Sequence, residues 1–192
     1  MPERIETRVS ARERLLAAAD ELFYAEGIHT VGIDRVIERA GVAKASLYST
    51  FGSKDELVRA YLMRRHERRQ ARIMASVAKY DDPQSKVLGI FDYLGDLYRD
   101  PRFRGCPFVN ANAEGQPGGP AEEVASLSRA WVRSLVLGLV TEIGVTDPEG
   151  LAHQLILLYD GATVAARLDR NPGAAESARR VAETLLATAP RP

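Results

Sequence analysis

The sequence predicts an all-α protein, and three observations carry that expectation. Apolar residues recur at helical spacing along almost the whole chain of 192 residues. No stretch alternates apolar and polar residues with a period of two for long enough to make a convincing strand. Helix-starting signals are frequent: two Ser-x-x-Glu boxes, and four places where Asp or Asn precedes proline.

Each element can be justified in order. Ser10 with Glu13 opens a first helix, and Leu15, Leu16, Ala19, Leu22 and Phe23 form its apolar stripe until Gly27 stops it, giving a helix over about 10–26. Ile33, Val36, Ile37 and Ala40 mark a short second helix ending at Gly41, where a sharp turn needs positive φ. A third runs from about Ala43 to Thr50. Ser53 with Glu56 opens a long fourth helix to about Lys79. Asp82-Pro83, Asp100-Pro101, Asp147-Pro148 and Asn171-Pro172 each predict a helix start, because the side chain caps and proline tolerates the first helical position. Val87, Leu88, Phe91, Leu94 and Tyr98 place one helix over 83–99, and Val124, Leu127, Trp131, Leu135 and Leu139 place another over about 121–143. Residues 115–120, Gly-Gln-Pro-Gly-Gly-Pro, form a flexible connection. Residues 148–168 are apolar on nearly every side, which predicts a helix covered all round. A last helix spans 177–188.

Composition narrows the function. With 45% hydrophobic and 27% charged residues, the chain has an ordinary soluble composition. The single cysteine, Cys106, excludes a disulfide scaffold. No stretch approaches the roughly 18 uninterrupted apolar residues of a membrane span, and residues 1–8 contain no apolar run, so the expectation is a cytoplasmic protein with no membrane partner. The balance of 26 basic and 26 acidic groups hides an asymmetry: residues 1–72 carry 14 basic and 11 acidic side chains, the remainder 12 and 15. That split suits a nucleic-acid-facing N-terminal part. His29, His66 and His153 do not stand at metal-ligand spacing, and neither a nucleophile elbow nor a phosphate-binding loop occurs. No catalytic residue, metal or cofactor is expected.

Helix, glycine turn and helix over Ile33 to Thr50 form the arrangement of a helix-turn-helix, whose second helix enters the DNA major groove. Two small packed helices of an α-bundle would share that periodicity. The residues from Gly32 to Leu57 also closely resemble the DNA-binding segment of TetR/AcrR-family transcriptional regulators. The resemblance lies in Ala40-Gly41-Val42 at the turn, Ser46-Leu47-Tyr48 in the recognition helix, Phe51 after it, and Ser53-Lys54-Asp55-Glu56-Leu57 opening helix four. It covers roughly residues 10–60, with a further likeness at 104–110 to a segment found in a subset of these regulators. Ala43 departs from a frequent capping Ser, and Thr50 from a usual aromatic or His. The resemblance implies a helix-turn-helix domain over 8–55, joined by a long helix to a ligand-binding and dimerisation bundle over 56–192.

Candidate DNA-binding residues are Lys44, Ser46, Tyr48, Ser49, Thr50 and Lys54. Lys44, Lys54 and the Tyr48 hydroxyl suit phosphates, Lys44, Ser46, Ser49 and Thr50 suit base edges, and Leu47 and Phe51 anchor the helix from behind. The run Arg64, Arg65, Arg68, Arg69 and Arg72 reads either as a second nucleic-acid patch or as a solvated, paired face. Gly161, Ala162, Ala165 and Ala166 allow close helix approach, and the resemblance implies a homodimer through about 121–143 and 148–168. It also implies an unidentified small-molecule effector, with Phe91, Tyr98, Phe103, Phe108, Asn110, Trp131 and Tyr159 as candidate lining. Asn110 and Asn112 stand out because a buried amide requires partners. The expected function is a ligand-responsive repressor on double-stranded operator DNA. The alternative is a helical ligand-binding or scaffold dimer without specific operator binding.

Overall fold

The computed structural model describes residues 9–192, all α-helical apart from turns. In order, the helices are α1 Ala11–Glu26, α2 Ile33–Ala40, α3 Lys44–Phe51, α4 Lys54–Val77, α5 Pro83–Tyr98, α6 Pro107–Glu114, α7 Pro120–Ile143, α8 Pro148–Leu168 and α9 Ala174–Thr188. The expected start of the first domain at residue 8 lies outside the described residues.

Local chemistry sets most of the helix ends. The Ser10 Oγ accepts from the Glu13 N–H at 3.2 Å and the Ser53 Oγ from the Glu56 N–H at 3.1 Å. Asp82 and Asp147 cap α5 and α8 by accepting from the Ser85 and Gly150 N–H groups, each at 2.8 Å. Gly41 ends α2 at φ 62°, a left-handed conformation costly for other residues.

The other two proline signals behave differently. Asp100-Pro101 starts no helix. The Asp100 carboxylate instead accepts from the Arg102 N–H at 2.9 Å, which closes a short side-chain turn. Asn171 likewise accepts from the Gly173 N–H at 2.9 Å, and α9 begins only at Ala174. In both places the side chain reaches a donor two residues on and makes a turn, whereas a helix cap reaches three residues on.

Two apolar clusters form. One combines α1, α2, α3 and the first part of α4 around Leu15, Phe23, Val36, Leu47 and Leu62, with Phe108, Ala111, Ala121 and Val124 of α6 and α7 added from the other half. The second joins the end of α4 to α5, α7, α8 and α9 around Ile73, Phe91, Leu94, Val140, Leu155 and Leu186. Helix α4 belongs to both. It is tied to α1 by Arg64 to Glu13 at 2.8 Å and by Arg65 and Arg68 to Asp20 at 2.7 and 2.5 Å.

Helix α8 is not covered all round. Leu157, Val164 and Leu168 are exposed, while Leu151, Leu155 and Ile156 are buried. Ala162 and Ala166 belong to the buried side and Ala165 is half-buried against the second cluster, while Gly161 is exposed and an added Cβ there would meet nothing. Helix α7 is long and apolar enough to cross a membrane by length and composition. Its apolar stretch is broken by Arg129 and Arg133, and Arg129 pairs with Asp160 of α8 at 2.8 Å.

Candidate nucleic-acid interface and effector region

Helix α3 is short and has one completely buried side chain, Leu47, which seats it on α1 and α4. Burying a leucine is worth about 1.5–3 kcal/mol, enough to fix an eight-residue helix that could not persist alone. Phe51 is half-buried behind it and lies under the Arg12 guanidinium. The other face is open: Lys44, Ser49 and Thr50 are exposed, and Tyr48 is 46% accessible.

The candidate DNA-binding side chains of α3 therefore avoid its buried anchor, with differences, and Lys54 opens α4. The Lys44 ammonium donates to the Asp34 carboxylate of α2 at 2.8 Å, and this hydrogen bond raises its pKa. Ser49 and Thr50 donate back to the Ser46 carbonyl at 3.2 and 2.6 Å, so their hydroxyl protons must turn away from the helix to meet a base. Ser46 and Lys54 are half-buried, and Lys54 lines a groove of about 210 Å³ with Ile28, His29, Asp55, Val58 and Glu114. Neither α2 nor α3 has a side-chain cap, so their first backbone N–H groups are presented on this surface, where an anion can receive them.

The arginine run on α4 resolves differently along its length. Arg64, Arg65 and Arg68 are paired with Glu13 and Asp20, and Arg65 also covers the Tyr24 ring at 3.8 Å. These three hold α4 to α1 and are occupied.

Two crossings between the halves were not legible in the sequence. Tyr24 of α1 donates to the Gly105 carbonyl at 3.0 Å and accepts from the Arg104 N–H at 2.9 Å, and burial raises its pKa. The Glu114 carboxylate at the end of α6 accepts from the His29 N–H at 2.9 Å. Helix α6 itself was missed. Pro107, directly after Cys106, was its only start signal, and the segment is too short for a periodic stripe.

The candidate lining residues do not form one set. Phe91, Tyr98, Phe103, Trp131 and Tyr159 lie in or against the second cluster, and the Tyr98 and Thr163 hydroxyls share a hydrogen bond of 2.8 Å. Phe108 packs in the first cluster. Asn110 and Asn112 are exposed rather than buried, because α6 turns Phe108 and Ala111 inward; the Asn110 amide donates to the Arg104 carbonyl at 3.0 Å, closing the loop that precedes the helix. Between the clusters sits buried His66, whose Nδ1 is 3.0 Å from the Ser128 Oγ. Its ring meets Phe108 and Trp131 edge-on. Burial, followed by the nearby Arg69 charge, lowers the His66 pKa, which favours the neutral imidazole.

Residues 15–61 match the family profile described as bacterial regulatory proteins, tetR family, and residues 83–182 match one described as tetracyclin repressor-like, C-terminal domain. The chain belongs to the TetR family. A solved structure of a TetR-family transcriptional regulator from Streptomyces coelicolor is 35% identical, with a TM-score of 0.87 over 93% of this chain and 95% of that one. The E. coli transcriptional repressor NemR is 25% identical over 95% of this chain and 96% of its own length. The uncharacterised regulator Rv1255c of Mycobacterium tuberculosis is 28% identical over 65% of this chain, and that match spans 63% of the relative. This TetR-family chain is a helix-turn-helix regulator of transcription and not an enzyme. Regulators of the family bind operator DNA and usually act as dimers.

Proposed function

We propose that this TetR-family regulator is a cytoplasmic homodimeric repressor that leaves its operator when a small molecule binds the C-terminal half. The reading divides the chain into a DNA-binding domain over 8–55 and an effector and dimerisation domain over 56–192. The observation that carries it is the open polar face of α3, held from behind by Leu47. Lys44, Lys54 and Tyr48 address phosphates, and Ser46, Ser49 and Thr50 address bases. A second copy joins through the exposed apolar residues of α7 and α8, Leu127, Leu137, Leu157, Val164 and Leu168. Two copies set two recognition helices about one DNA turn apart. The full-length match to a repressor supports the sign of regulation. Effector binding lowers operator affinity by favouring a conformation with the wrong spacing of the two α3 helices, and the Tyr24–Gly105 and His29–Glu114 hydrogen bonds link α1 and its following turn to the α6 segment through which such a change can pass.

The test is fluorescence anisotropy with DNA from around the gene, against shuffled competitor at two salt concentrations. Sequence-preferring binding at one dimer per site, weakened by salt, is the expected result. Equal binding to both DNAs, followed by failure to select a preferred site from random DNA, would remove the operator reading. Tyr48→Ala is expected to weaken operator binding by about tenfold, the scale of one lost phosphate contact, with dimerisation and Tm unchanged. Unchanged affinity in that variant would refute the contact.

A further inference from the structure

Helix α4 is rich in arginine, and four of its arginines have carboxylates: Arg59 has Glu56 and Glu123, Arg64 has Glu13, and Arg65 and Arg68 have Asp20. Arg69 is built differently. Among the described residues no carboxylate lies within ion-pair distance of it, although its guanidinium is part-buried between the two clusters. One nitrogen, Nη2, donates to the carbonyl and hydroxyl oxygens of Ser128 at 2.6 and 2.5 Å. Its Nε is buried and has no hydrogen-bond partner, one of two such side-chain atoms among the described residues. The guanidinium carbon stands 4.6 Å from the centre of the Phe108 ring.

A part-buried cation without a counter-ion is costly, and a guanidinium offers five donors of which this one uses a single nitrogen. The surroundings answer it with the Phe108 ring and two Ser128 oxygens but, among the described residues, with no paired carboxylate. His66 is biased to its neutral form, Phe108 and Trp131 present rings, and the Tyr93 and Tyr159 phenols close enough to feel the Arg69 charge are held neutral by burial. Arg72, one turn on, lies over Tyr93 at 5.3 Å and adds positive charge to the same side.

We infer that Arg69 is the anion-recognising group of the effector site, and that the effector is a small organic carboxylate with an apolar or aromatic body. The carboxylate takes the unused Nε edge of Arg69, and the body packs against Phe108, Trp131 and His66. This inference rests on the effector reading above and names its ligand class. Ser128, bonded to both His66 and Arg69, keeps the guanidinium in place before ligand arrives.

Trp131 is the chain's only tryptophan, so its fluorescence reports this region directly. The full-length protein is titrated with butyrate, hexanoate, benzoate and phenylacetate, with the corresponding amides as neutral isosteres, and with phenyl phosphate. At least one acid is expected to give a saturable Trp131 change, with its amide about tenfold or more weaker. Arg69→Met is expected to lose the response and Arg69→Lys to keep part of it, with helix content and dimerisation checked for both. No response to any acid, an amide equal to its acid, or an unchanged Arg69→Met response would each overturn the inference. Phenyl phosphate binding more tightly than every acid would overturn the carboxylate assignment. The acid-against-amide comparison uses the unmutated protein, so it decides the matter even if Arg69→Met fails to fold. Acid binding that leaves operator affinity intact would remove the ligand-release reading and keep this site, whereas operator binding without any acid response does the reverse.

Discussion

The two apolar clusters of this chain are closed in different ways. The N-terminal one is sealed within the monomer, with Leu15, Val31, Val36, Leu47 and Leu57 fully buried and α1 pinned to α4 by three arginine–carboxylate pairs. The C-terminal one is sealed on its inner side only. On α8 Leu157 is 56% and Leu168 75% exposed, and on α7 Leu127 is 45% exposed, although these helices supply much of the core. Scattered exposed leucines are ordinary, but a row of them along two adjacent helices is a surface that expects cover. The difference teaches that the first cluster, closed with side chains from α6 and α7, hides its anchors within one chain, while the second leaves an apolar face that the proposed second copy would cover.

Substitutions can break or sharpen this contrast. The largest expected effect is Leu47→Ala, which empties the one buried anchor of α3 and is expected to cost about 3 kcal/mol. Chemical denaturation should lose this stability, and operator binding should fall with it; a loss under about 1 kcal/mol would mean α3 is held otherwise. Next comes Leu157→Glu, a charge placed on an exposed position. It should leave the helix content intact while moving the protein from dimer to monomer in light scattering, at about 2 kcal/mol or more of dimer stability. A dimer unchanged by it would place the interface elsewhere. Ser53→Ala removes the cap of α4 and should cost about 1 kcal/mol, read as a lowered Tm, without altering dimerisation. The smallest effect is expected from Asp34→Asn, since both partners of the Lys44 pair are exposed. Stability should barely move, while operator affinity rises about two- to fivefold because Lys44 is released and a negative charge leaves the DNA-facing surface. Weaker DNA binding would instead make Asp34 a residue that positions Lys44.

Much of this molecule was legible because its signals are local. The two Ser-x-x-Glu boxes, the Asp82 and Asp147 caps and the stop at Gly41 each involve residues within four of one another, and all appear as expected. The face of α3 was legible too, because Leu47 and Phe51 repeat at one helical turn and leave Lys44, Tyr48, Ser49 and Thr50 on other sides. Asp100 and Asn171 misled for the same local reason: their side chains reach a donor two residues on rather than three, and sequence alone does not separate those outcomes.

The sequence by itself determined the helical class, most helix boundaries and the exposed polar face of α3, since those depend on caps, periodicity and glycine φ within single elements. Only the tertiary structure decided which side of α8 stays open, that Asn110 faces solvent, and that Tyr24 of α1 meets Gly105 just before α6 and Glu114 of α6 meets His29 just after α1, across 81 and 85 residues of chain. It also decided that Arg64, Arg65 and Arg68 find carboxylates while Arg69, on the same helix, meets Ser128 and the Phe108 ring. The physical reason is that a charge's energy depends on what surrounds it, and for α4 those surroundings come from helices far away in sequence.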